Sequence, residues 1–335
     1  MKVAILAPVA WRTPPRHYGP WEQIASNIAE GVIKLGAEVT LFATGDSITD
    51  GTLDAICATG YEEDRTQDAK VLECLHISNL MEKASQFDII HNNFDFLPLT
   101  YSGLIKTPVI TTIHGFSSPK IIPVYKKYNS RGHYVSISNA DRRPELEYLA
   151  TVYNGLDTRD FQFYEQSDDY LLYFGRIHPD KGTAEAIEIA KKSKRKLLIA
   201  GIVQDANYFK EKIEPQLSEE VEYIGHAGPE KRRELLGKAY ALLHPISFDE
   251  PFGLSVAEAM LCGTPVIAFN RGSMLELIKD RKTGFLVDTV DEAVYAVASV
   301  TGINRIDCYH WANSQFSSEK MASDYWELYK KILNK

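Results

Sequence analysis

The stretch that decides the fold is SFDEPFGLSVAEAMLCGTPVIA, residues Ser247–Ala268. It contains two glutamates, Glu250 and Glu258, with seven residues between them. Pro251 and Gly253 mark a turn after the first glutamate, and the residues that follow have the apolar, alanine-rich composition of a buried helix. The preceding run YALLHP is short and apolar, as a buried strand is. The stretch therefore predicts a strand, a loop and a helix, which is the repeating unit of a parallel α/β sheet.

The same alternation extends over most of the chain. Helical patterns are predicted from about Trp21, in residues 69–85 and 139–149, and in residues 319–333. Strands alternating with helices predict βαβ units and parallel sheets. The predicted strands are KVAILA, EVTLFAT, FDIIHNN, TPVITTIHG and HYVSIS in the first half, and YLLYFG, KLLIAG, VEYIG, YALLHP and TPVIAF in the second.

The alternation pauses once, in a polar and aromatic stretch near the middle of the 335 residues. We therefore predict two doubly wound α/β domains. Residues 1–155 form the N-terminal domain, residues 156–168 a linker, and residues 169–312 the second domain. Because ligands of such sheets bind at the carboxyl ends of the strands, we expect the site in a cleft that the two domains face.

Charge and composition exclude several classes of protein. A net charge of −8 argues against nucleic-acid binding. Four scattered cysteines predict reduced thiols and a cytoplasmic location. No apolar run has the length of a membrane span, and the N-terminal apolar run is too short for a signal peptide. The basic run KKSKRK, residues 191–196, leaves open a peripheral contact with a membrane surface.

Both glutamates lie beside a predicted anion site. The backbone amides of Phe252, Gly253 and Leu254 stand where the helix begins, and free amides together with the helix dipole favour an anion there. Carboxylates accept pairs of hydroxyl hydrogens, as sugars and ribose present them. Glu258 has apolar neighbours in the sequence, so a buried partner or ligand is expected for it.

A second segment adds positive charge. In YFGRIHPDKG, Arg176 and Lys181 follow a predicted strand and precede a predicted helix. Two cations at the carboxyl end of a strand suit a diphosphate, and each charge-assisted contact contributes about 1.5–3 kcal/mol. Spacing typical of metal ligands is absent from the sequence, and no metal is predicted.

These segments resemble the family-4 retaining glycosyltransferases, which have the two-Rossmann-domain architecture called GT-B. The resemblance rests on FGR and KG, on the Glu–seven residues–Glu spacing, and on the sequence around them in residues 170–290. In the first half it rests on HYGPWEQIASNIAEGVIKLGAEVTLFATG, FDIIHNN, TTIHG, VSISNADRR and VYNGLD. The tail FSSEKMASDYWELYKKIL resembles the family's last helix, which returns to the first domain, so the resemblance implies that a C-terminal helix in 313–335 belongs to the N-terminal domain.

The resemblance implies a role for each matching residue. It implies that His114 and Glu250 serve catalysis, with Glu250 positioning the sugar and His114 beside the anomeric centre. It also implies that no metal or other cofactor is essential, because cations and helix amides neutralise the diphosphate. The implied contacts are Arg176, Lys181, Gly19, Gly253 and Leu254 with the diphosphate, Glu250, Phe252, Gly253 and His114 with the sugar, Glu258 with the ribose, and Gly225, His226 and Ala227 with the border of the nucleobase.

One position departs from the family pattern. The family usually has two adjacent glycines in the loop after the first strand, and here the pair is Gly19-Pro20. Proline has no N–H group, so one amide contact with the phosphates is absent. Either Gly19 alone approaches the donor, or the loop is reshaped for a particular acceptor.

The resulting hypothesis is transfer of a hexosyl group from a nucleotide-diphosphate sugar to an acceptor hydroxyl, with retention of the anomeric configuration. A UDP-sugar is the first expectation and GDP-mannose the second, and the acceptor is a small molecule, a glycan or a lipid-linked molecule. A nucleotide-sugar 2-epimerase and a sugar phosphorylase are the nearest alternatives. A nicotinamide-dependent oxidoreductase is disfavoured, because the first loop lacks Gly-x-Gly-x-x-Gly. A non-catalytic sugar-binding module is disfavoured by the complete set of site residues.

Overall fold

The chain divides into two units, each built on its own parallel sheet. The computed structural model of the protein describes residues 1–116 and 118–334. The N-terminal unit comprises Met1–Leu156 together with the segment that begins at Ser318, and the C-terminal unit comprises Asp157–Ser317. The predicted fold class, two doubly wound α/β units, is confirmed.

Seven parallel strands form the sheet of the N-terminal unit within the described residues. Their order is β3-β2-β1-β4-β5-β6-β7, so the order reverses between β1 and β4. The first strand lies in the middle and buries nearly all of its residues, which explains its continuous apolar sequence. The strands are β1 Lys2–Leu6, β2 Glu38–Phe42, β3 Thr52–Asp54, β4 Ile89–Asn92, β5 Val109–Ile113, β6 His133–Ser136 and β7 Ala150–Thr151.

Helices of this unit follow the predicted pattern in two places and differ in a third. In the segment Met1–Leu156 the α-helices are α1 Pro20–Lys34, α2 Ala69–Glu82 and α3 Ile122–Tyr128, of which α3 lies outside the predicted helical patterns. The predicted helix in residues 139–149 is wrong, because this stretch forms turns. Arg143 precedes Pro144, and a residue before proline is disfavoured in helical conformation. The N–H of Leu149 instead donates to the carbonyl of Tyr134 in the sheet, over 2.8 Å.

The C-terminal unit has a six-stranded parallel sheet within its described residues, in the order β10-β9-β8-β11-β12-β13. The order reverses between β8 and β11. The strands are β8 Tyr170–Phe174, β9 Lys196–Ala200, β10 Val221–Gly225, β11 Ala241–His244, β12 Val266–Phe269 and β13 Gly284–Val287. The helices are α4 Thr183–Ser193, α5 Ala206–Tyr208, α6 Pro229–Lys238, α7 Leu254–Leu261, α8 Met274–Leu277, α9 Val290–Ser299 and α10 Arg305–Phe316.

The predicted linker, residues 156–168, lies almost entirely inside the C-terminal unit. The N–H of Tyr164 donates to Cys262 O over 3.1 Å, and that of Asp168 to Lys238 O over 2.7 Å. Arg305 Nε donates to the carbonyl of Tyr164 over 2.8 Å. The stretch therefore belongs to the fold of this unit, although its sequence has no regular pattern.

The last helix, α11 Ser318–Ile332, returns to the N-terminal unit. The structure puts this junction at Ser318, whereas the sequence-based boundary was residue 313. Ala322 packs against Gly31 of α1, where a Cβ atom on the glycine would overlap it. Tyr329 hydroxyl lies 2.6 Å from His91 Nδ1. His91 Nε2 in turn lies 2.7 Å from Thr112 Oγ1, so this histidine is a structural core residue.

Two features of the described residues concern contact with a membrane: the character of the helices and the surroundings of the basic run 191–196. No helix there combines the length and the apolar character needed to cross a bilayer. Four basic side chains of the run 191–196 have polar partners: Lys192 pairs with Glu188 and Asp291, Lys191 with Gln216, Arg195 with Asp169, and Lys196 with Glu222. The four cysteines are free thiols.

Candidate functional site

The sheet of the C-terminal unit places two predicted segments side by side. Because β8 and β11 are parallel neighbours, the loops that leave their carboxyl ends start at the same edge. The loop after β8 carries Arg176 and Lys181, and the loop after β11 carries Glu250. This edge is the point where the strand order reverses, which is where doubly wound sheets bind their ligands.

Backbone contacts hold the two loops together. The N–H of Ser247 donates to Asp180 O over 2.9 Å. Gly182 adopts a left-handed conformation with φ of 73°, and a Cβ atom there would overlap the carbonyl of Pro245. Only glycine combines this φ value with so close an approach. The sequence KG therefore sets the position of Lys181.

Lys181 and Glu250 form a buried ion pair. Lys181 Nζ donates to Glu250 Oε2 over 2.5 Å, and the side chains are 15% and 12% exposed. His244 Nε2 lies 3.7 Å from the same oxygen, which is an ion-pair distance when the ring is protonated but longer than a hydrogen bond. Burial alone would raise the pKa of Glu250, but His244, when its ring is protonated, and Lys181 outweigh it and together lower the pKa to about 2. Glu250 is therefore a carboxylate at neutral pH.

Helix α7 starts directly beyond this pair. Gly253 is its N-cap, with φ of 92°. The N–H groups of Leu254 and Ser255 belong to the first turn, where a helix offers them no acceptor. Ser273 fixes the turn before the helix, since its N–H donates to Glu250 O over 2.9 Å and its hydroxyl to Phe252 O over 2.6 Å. These amides and the helix dipole can hold an anion beside Lys181.

Phe252 itself is a core residue. Its side chain is buried and lies edge-on to Phe316, with ring centroids 5.7 Å apart. The predicted contact of Phe252 with a sugar would therefore come from its backbone.

Glu258 has the partner that its apolar surroundings predict. It lies in the second turn of α7, is 7% exposed, and accepts from Arg232 Nη1 of α6 over 3.3 Å. Burial raises the pKa of Glu258, and Arg232 offsets part of that effect, while Asp160 adds to it. The Arg232 guanidinium also lies 5.5 Å from the ring centroid of Phe161.

Arg176 lies at the carboxyl end of β8 with a neutral partner. Its guanidinium donates to the side-chain oxygen of Gln204, which leaves the positive charge available to an anion. Tyr173 hydroxyl donates to the Arg176 carbonyl over 2.8 Å and so holds the backbone of this loop.

The residues predicted to border a nucleobase leave the same edge of the sheet, two strands from β8. Gly225 ends β10, His226 is exposed, and Ala227 is buried. The N–H of Gly201, which follows β9, donates to Gly225 O over 2.9 Å.

His114 belongs to the N-terminal unit, where it follows β5. It is 8% exposed, its Nε2 lies 3.1 Å from Asn93 Oδ1, and its ring stacks on Trp21 at 5.6 Å between centroids. Burial lowers the pKa of His114 to about 3, so the imidazole is neutral at pH 7. Its Nδ1 has no hydrogen-bond partner among the described residues, which leaves a polar atom available to a ligand.

Gly19 is the N-cap of α1, with φ of 155°, and Pro20 is the first residue of that helix. Proline is well tolerated there, because the first helical N–H has no intrahelical acceptor. Glu22 lies in the same turn and is 3% exposed. Burial raises the pKa of Glu22 to about 7; the backbone N–H groups of Glu22 and Trp11 oppose the shift, and Glu63 adds to it.

The structure brings together Arg176, Lys181, Glu250, Gly253 and Leu254 in one unit and Gly19 and His114 in the other. It adds three side chains that were not predicted from the sequence: Arg232, His244 and Asn93. His244 and Asn93 stand at or directly after the carboxyl end of a strand, a position that could have singled them out. Among the described residues no group of three or more His, Cys, Asp or Glu side chains is arranged to hold a metal ion.

The chain is similar to known glycosyltransferases. Residues 157–301 match the family model described as glycosyl transferases group 1, which covers most of the C-terminal unit. An uncharacterized glycosyltransferase of Methanocaldococcus jannaschii is 22% identical over 86% of this chain and 85% of its own length. These matches support a glycosyltransferase enzyme.

Solved structures match both units. AviGT4, a glycosyltransferase involved in avilamycin A biosynthesis, superposes with a TM-score of 0.74 over 100% of this chain and 98% of its own, at 23% identity. Anabaena HepE has been solved in complex with UDP and with UDP-glucose. Its UDP complex superposes with a TM-score of 0.74 over 99% of this chain and 100% of its own, at 19% identity. At such identities the likeness concerns the fold, which is that of GT-B glycosyltransferases.

Proposed function

We propose that the protein is a retaining glycosyltransferase that moves a hexosyl group from a UDP-sugar to an acceptor hydroxyl. The proposal rests on the Lys181–Glu250 pair, which lies beside the start of α7, at the point where the strand order reverses. A cation, free helix amides and a buried carboxylate are the groups that a sugar diphosphate needs. The complexes of the HepE structure with UDP and UDP-glucose support uridine as the nucleoside.

Each group then has a proposed task. Arg176, Lys181 and the amides at the start of α7 stabilise the negative charge that develops on the leaving diphosphate. Glu250 accepts hydroxyl hydrogens of the transferred sugar and orients it, and Glu258 does the same for the ribose. The diphosphate helps to remove the acceptor proton on the face from which it leaves, so the configuration at the anomeric carbon is retained. The roles of His114 and Gly19 near the sugar and phosphates stay predictions from the family resemblance.

A transfer assay with single variants tests this proposal. Lys181→Ala and Glu250→Ala are expected to reduce transfer from the true donor by orders of magnitude while circular dichroism shows a folded chain. Lys196→Ala is the matched control, because Lys196 also pairs with a glutamate, Glu222, over 2.6 Å but on the exposed surface. Near-normal turnover in both site variants would contradict the site.

Donor and stereochemistry need separate measurements. A thermal-shift screen with UDP, GDP and ADP identifies the nucleotide, because stabilisation grows with the ratio of ligand concentration to Kd. Stabilisation by GDP alone would replace the UDP-sugar with GDP-mannose, the second expectation. NMR of the first-formed product gives the anomeric configuration, and inversion would contradict the retaining mechanism. The epimerase and phosphorylase alternatives are not favoured by the comparisons.

A further inference from the structure

His244 is a buried polar side chain that has no role in the proposed reaction. It ends β11, at the edge where the site lies, and is 7% exposed. Its Nε2 has no hydrogen-bond partner among the described residues. A buried polar atom without a partner costs free energy, so such an atom at a ligand-binding edge calls for an explanation.

The charged surroundings of His244 are simple. Nε2 lies 3.7 Å from Glu250 Oε2, and that oxygen is already bound by Lys181 Nζ at 2.5 Å. The neighbouring strands add no charge: Ala268 of β12 is directly opposite His244, and Tyr173 of β8 is opposite the preceding residue. Burial raises the pKa of Tyr173 far above neutrality, so its hydroxyl keeps its proton.

A diphosphate changes the balance around Glu250. When Lys181 binds a phosphate oxygen, it shares its charge between two anions, and the buried carboxylate loses part of its compensation. An uncompensated buried charge is costly, and a nearby group that gains a proton removes the cost. Histidine is the side chain that gains a proton near neutral pH.

We propose that His244 is a positioning residue for Glu250, which takes up one proton from solvent when a nucleoside-diphosphate sugar engages Lys181 and then donates Nε2–H to Glu250. The inference rests on the proposed function for the identity of the ligand. No covalent bond forms or breaks in this step, and the single proton comes from water or buffer. The protonated ring keeps Glu250 ionised and in place to hold the sugar while Lys181 holds the diphosphate. A purely structural core histidine would keep the same protonation state with and without ligand.

Calorimetric proton counting tests the proposal on the full chain. UDP-glucose and, in parallel, GDP-mannose are titrated into the protein in two buffers of different ionisation enthalpy at the same pH. The difference in binding heat gives the number of protons taken up, and these sugar diphosphates have no proton of their own to exchange near neutrality. The wild type is expected to take up a fraction of a proton, up to one. Its affinity is expected to rise as the pH falls, by at most about tenfold per pH unit.

Two variants and a control complete the design. His244→Asn and His244→Gln are expected to bind the same ligand without proton uptake and with little pH dependence, and the Gln variant gives a second reading if the Asn variant does not fold. His133→Asn, on β6 of the N-terminal unit, is the control and should keep the wild-type uptake. Equal uptake in wild type and His244→Asn, or ligand binding by the wild type without uptake, overturns the proposal for His244 alone. Absence of binding by both sugar diphosphates contradicts the proposed function, and this inference with it.

Discussion

Lys181 and Glu250 lie 69 positions apart in the chain and share a hydrogen bond of 2.5 Å. Glu258, the second acid of residues 247–268, is also paired, because it accepts a hydrogen bond from Arg232 over 3.3 Å. In both pairs the cation belongs to one βα unit of the sheet, and the acid belongs to a later unit of the same sheet. The two glutamates are therefore buried acids with dedicated cations, and both pairs lie at the edge where a sugar nucleotide is expected to bind.

Breaking the first pair is expected to cost stability as well as activity. Lys181→Met leaves the buried Glu250 carboxylate without its cation, and removal of one partner of such a pair costs about 3–5 kcal/mol. The double variant Lys181→Met/Glu250→Gln should recover most of that loss and remain inactive. Denaturant unfolding and a transfer assay measure the two effects separately. The control Lys196→Met, at an exposed pair, should cost less than about 1 kcal/mol of stability. Equal losses of stability in Lys181→Met and Lys196→Met would contradict the prediction that the buried pair matters more than the exposed one.

Gly182→Ala is expected to destabilise the C-terminal unit and to reduce donor binding together. The left-handed conformation alone costs a non-glycine residue about 1–2 kcal/mol, and overlap with the Pro245 carbonyl adds to this. Gly228→Ala is the matched control, because Gly228 has an ordinary negative φ and open space around its Cα. Thermal unfolding compares the two variants. Equal melting temperatures would show that the contact between the loops is looser than the structure has it.

Arg232→Gln is expected to weaken recognition of the ribose selectively. Burial raises the pKa of Glu258 and Arg232 opposes it, so loss of the arginine favours the protonated acid, increasingly so as the pH falls. Wild type should prefer UDP to 2′-deoxy-UDP by roughly 10- to 100-fold if Glu258 holds the hydroxyls, which corresponds to one charged hydrogen bond. The preference should shrink in Arg232→Gln, and more at pH 6 than at pH 8.

Calorimetric Kd values for both nucleotides give this ratio. Arg233→Gln, at the next position of α6, is the control and should keep the wild-type preference. A loss of affinity that is equal for UDP and 2′-deoxy-UDP would assign Arg232 to general packing instead.

The Glu22→Gln variant is expected to gain stability relative to the wild type as the pH rises. The pKa of Glu22 is raised to about 7, so the folded state holds a proton that the unfolded chain releases above about 4.5. The resulting stabilisation of the wild type is complete at low pH and is lost as the pH rises through about 7. Between about pH 5.5 and 8.5 the wild type should lose about 2 kcal/mol relative to Glu22→Gln.

Urea unfolding at both pH values measures this change. Glu38→Gln, at an exposed position of β2, is the control and should show the same pH dependence as the wild type. A difference between wild type and Glu22→Gln that does not change with pH would show that Glu22 stays ionised throughout.

Central strands were predictable from the sequence, whereas three of the four edge strands that the structure describes were not. A continuous apolar run such as that of β1 reflects burial on both faces of a parallel sheet. The strands β3, β7 and β13 have two to four residues each and were missed, because so short a segment shows no periodicity and forms only through pairing with its neighbour. The error in residues 139–149 has a local cause, since Pro144 excludes the helix that the surrounding composition favours.

The candidate site was predictable in its acids and less so in their partners. Spacing and turn residues pointed to Glu250 and Glu258, because both belong to one short continuous stretch. Arg232 reaches Glu258 through the packing of separate βα units, and no spacing in the sequence records this contact. His244 belongs to the same βα unit as Glu250, and their contact depends on how the loop between them folds. The isolated apolar setting of Glu258 predicted that it has a partner but not which residue it is.

The return of α11 to the N-terminal unit imposes an order on synthesis at the ribosome. The residues of the C-terminal unit form one continuous segment, Asp157–Ser317, so its sheet can be completed as soon as that segment has emerged. The N-terminal unit, although its strands are made first, lacks Tyr325 and Tyr329 until Ser318–Ile332 has been translated. Until then His91 Nδ1 lacks its partner and Thr112 Oγ1 has only one of its two partners, in a core open on one side. The unit whose strands are made first is therefore the last to be finished, because its core is closed only when α11 packs onto it.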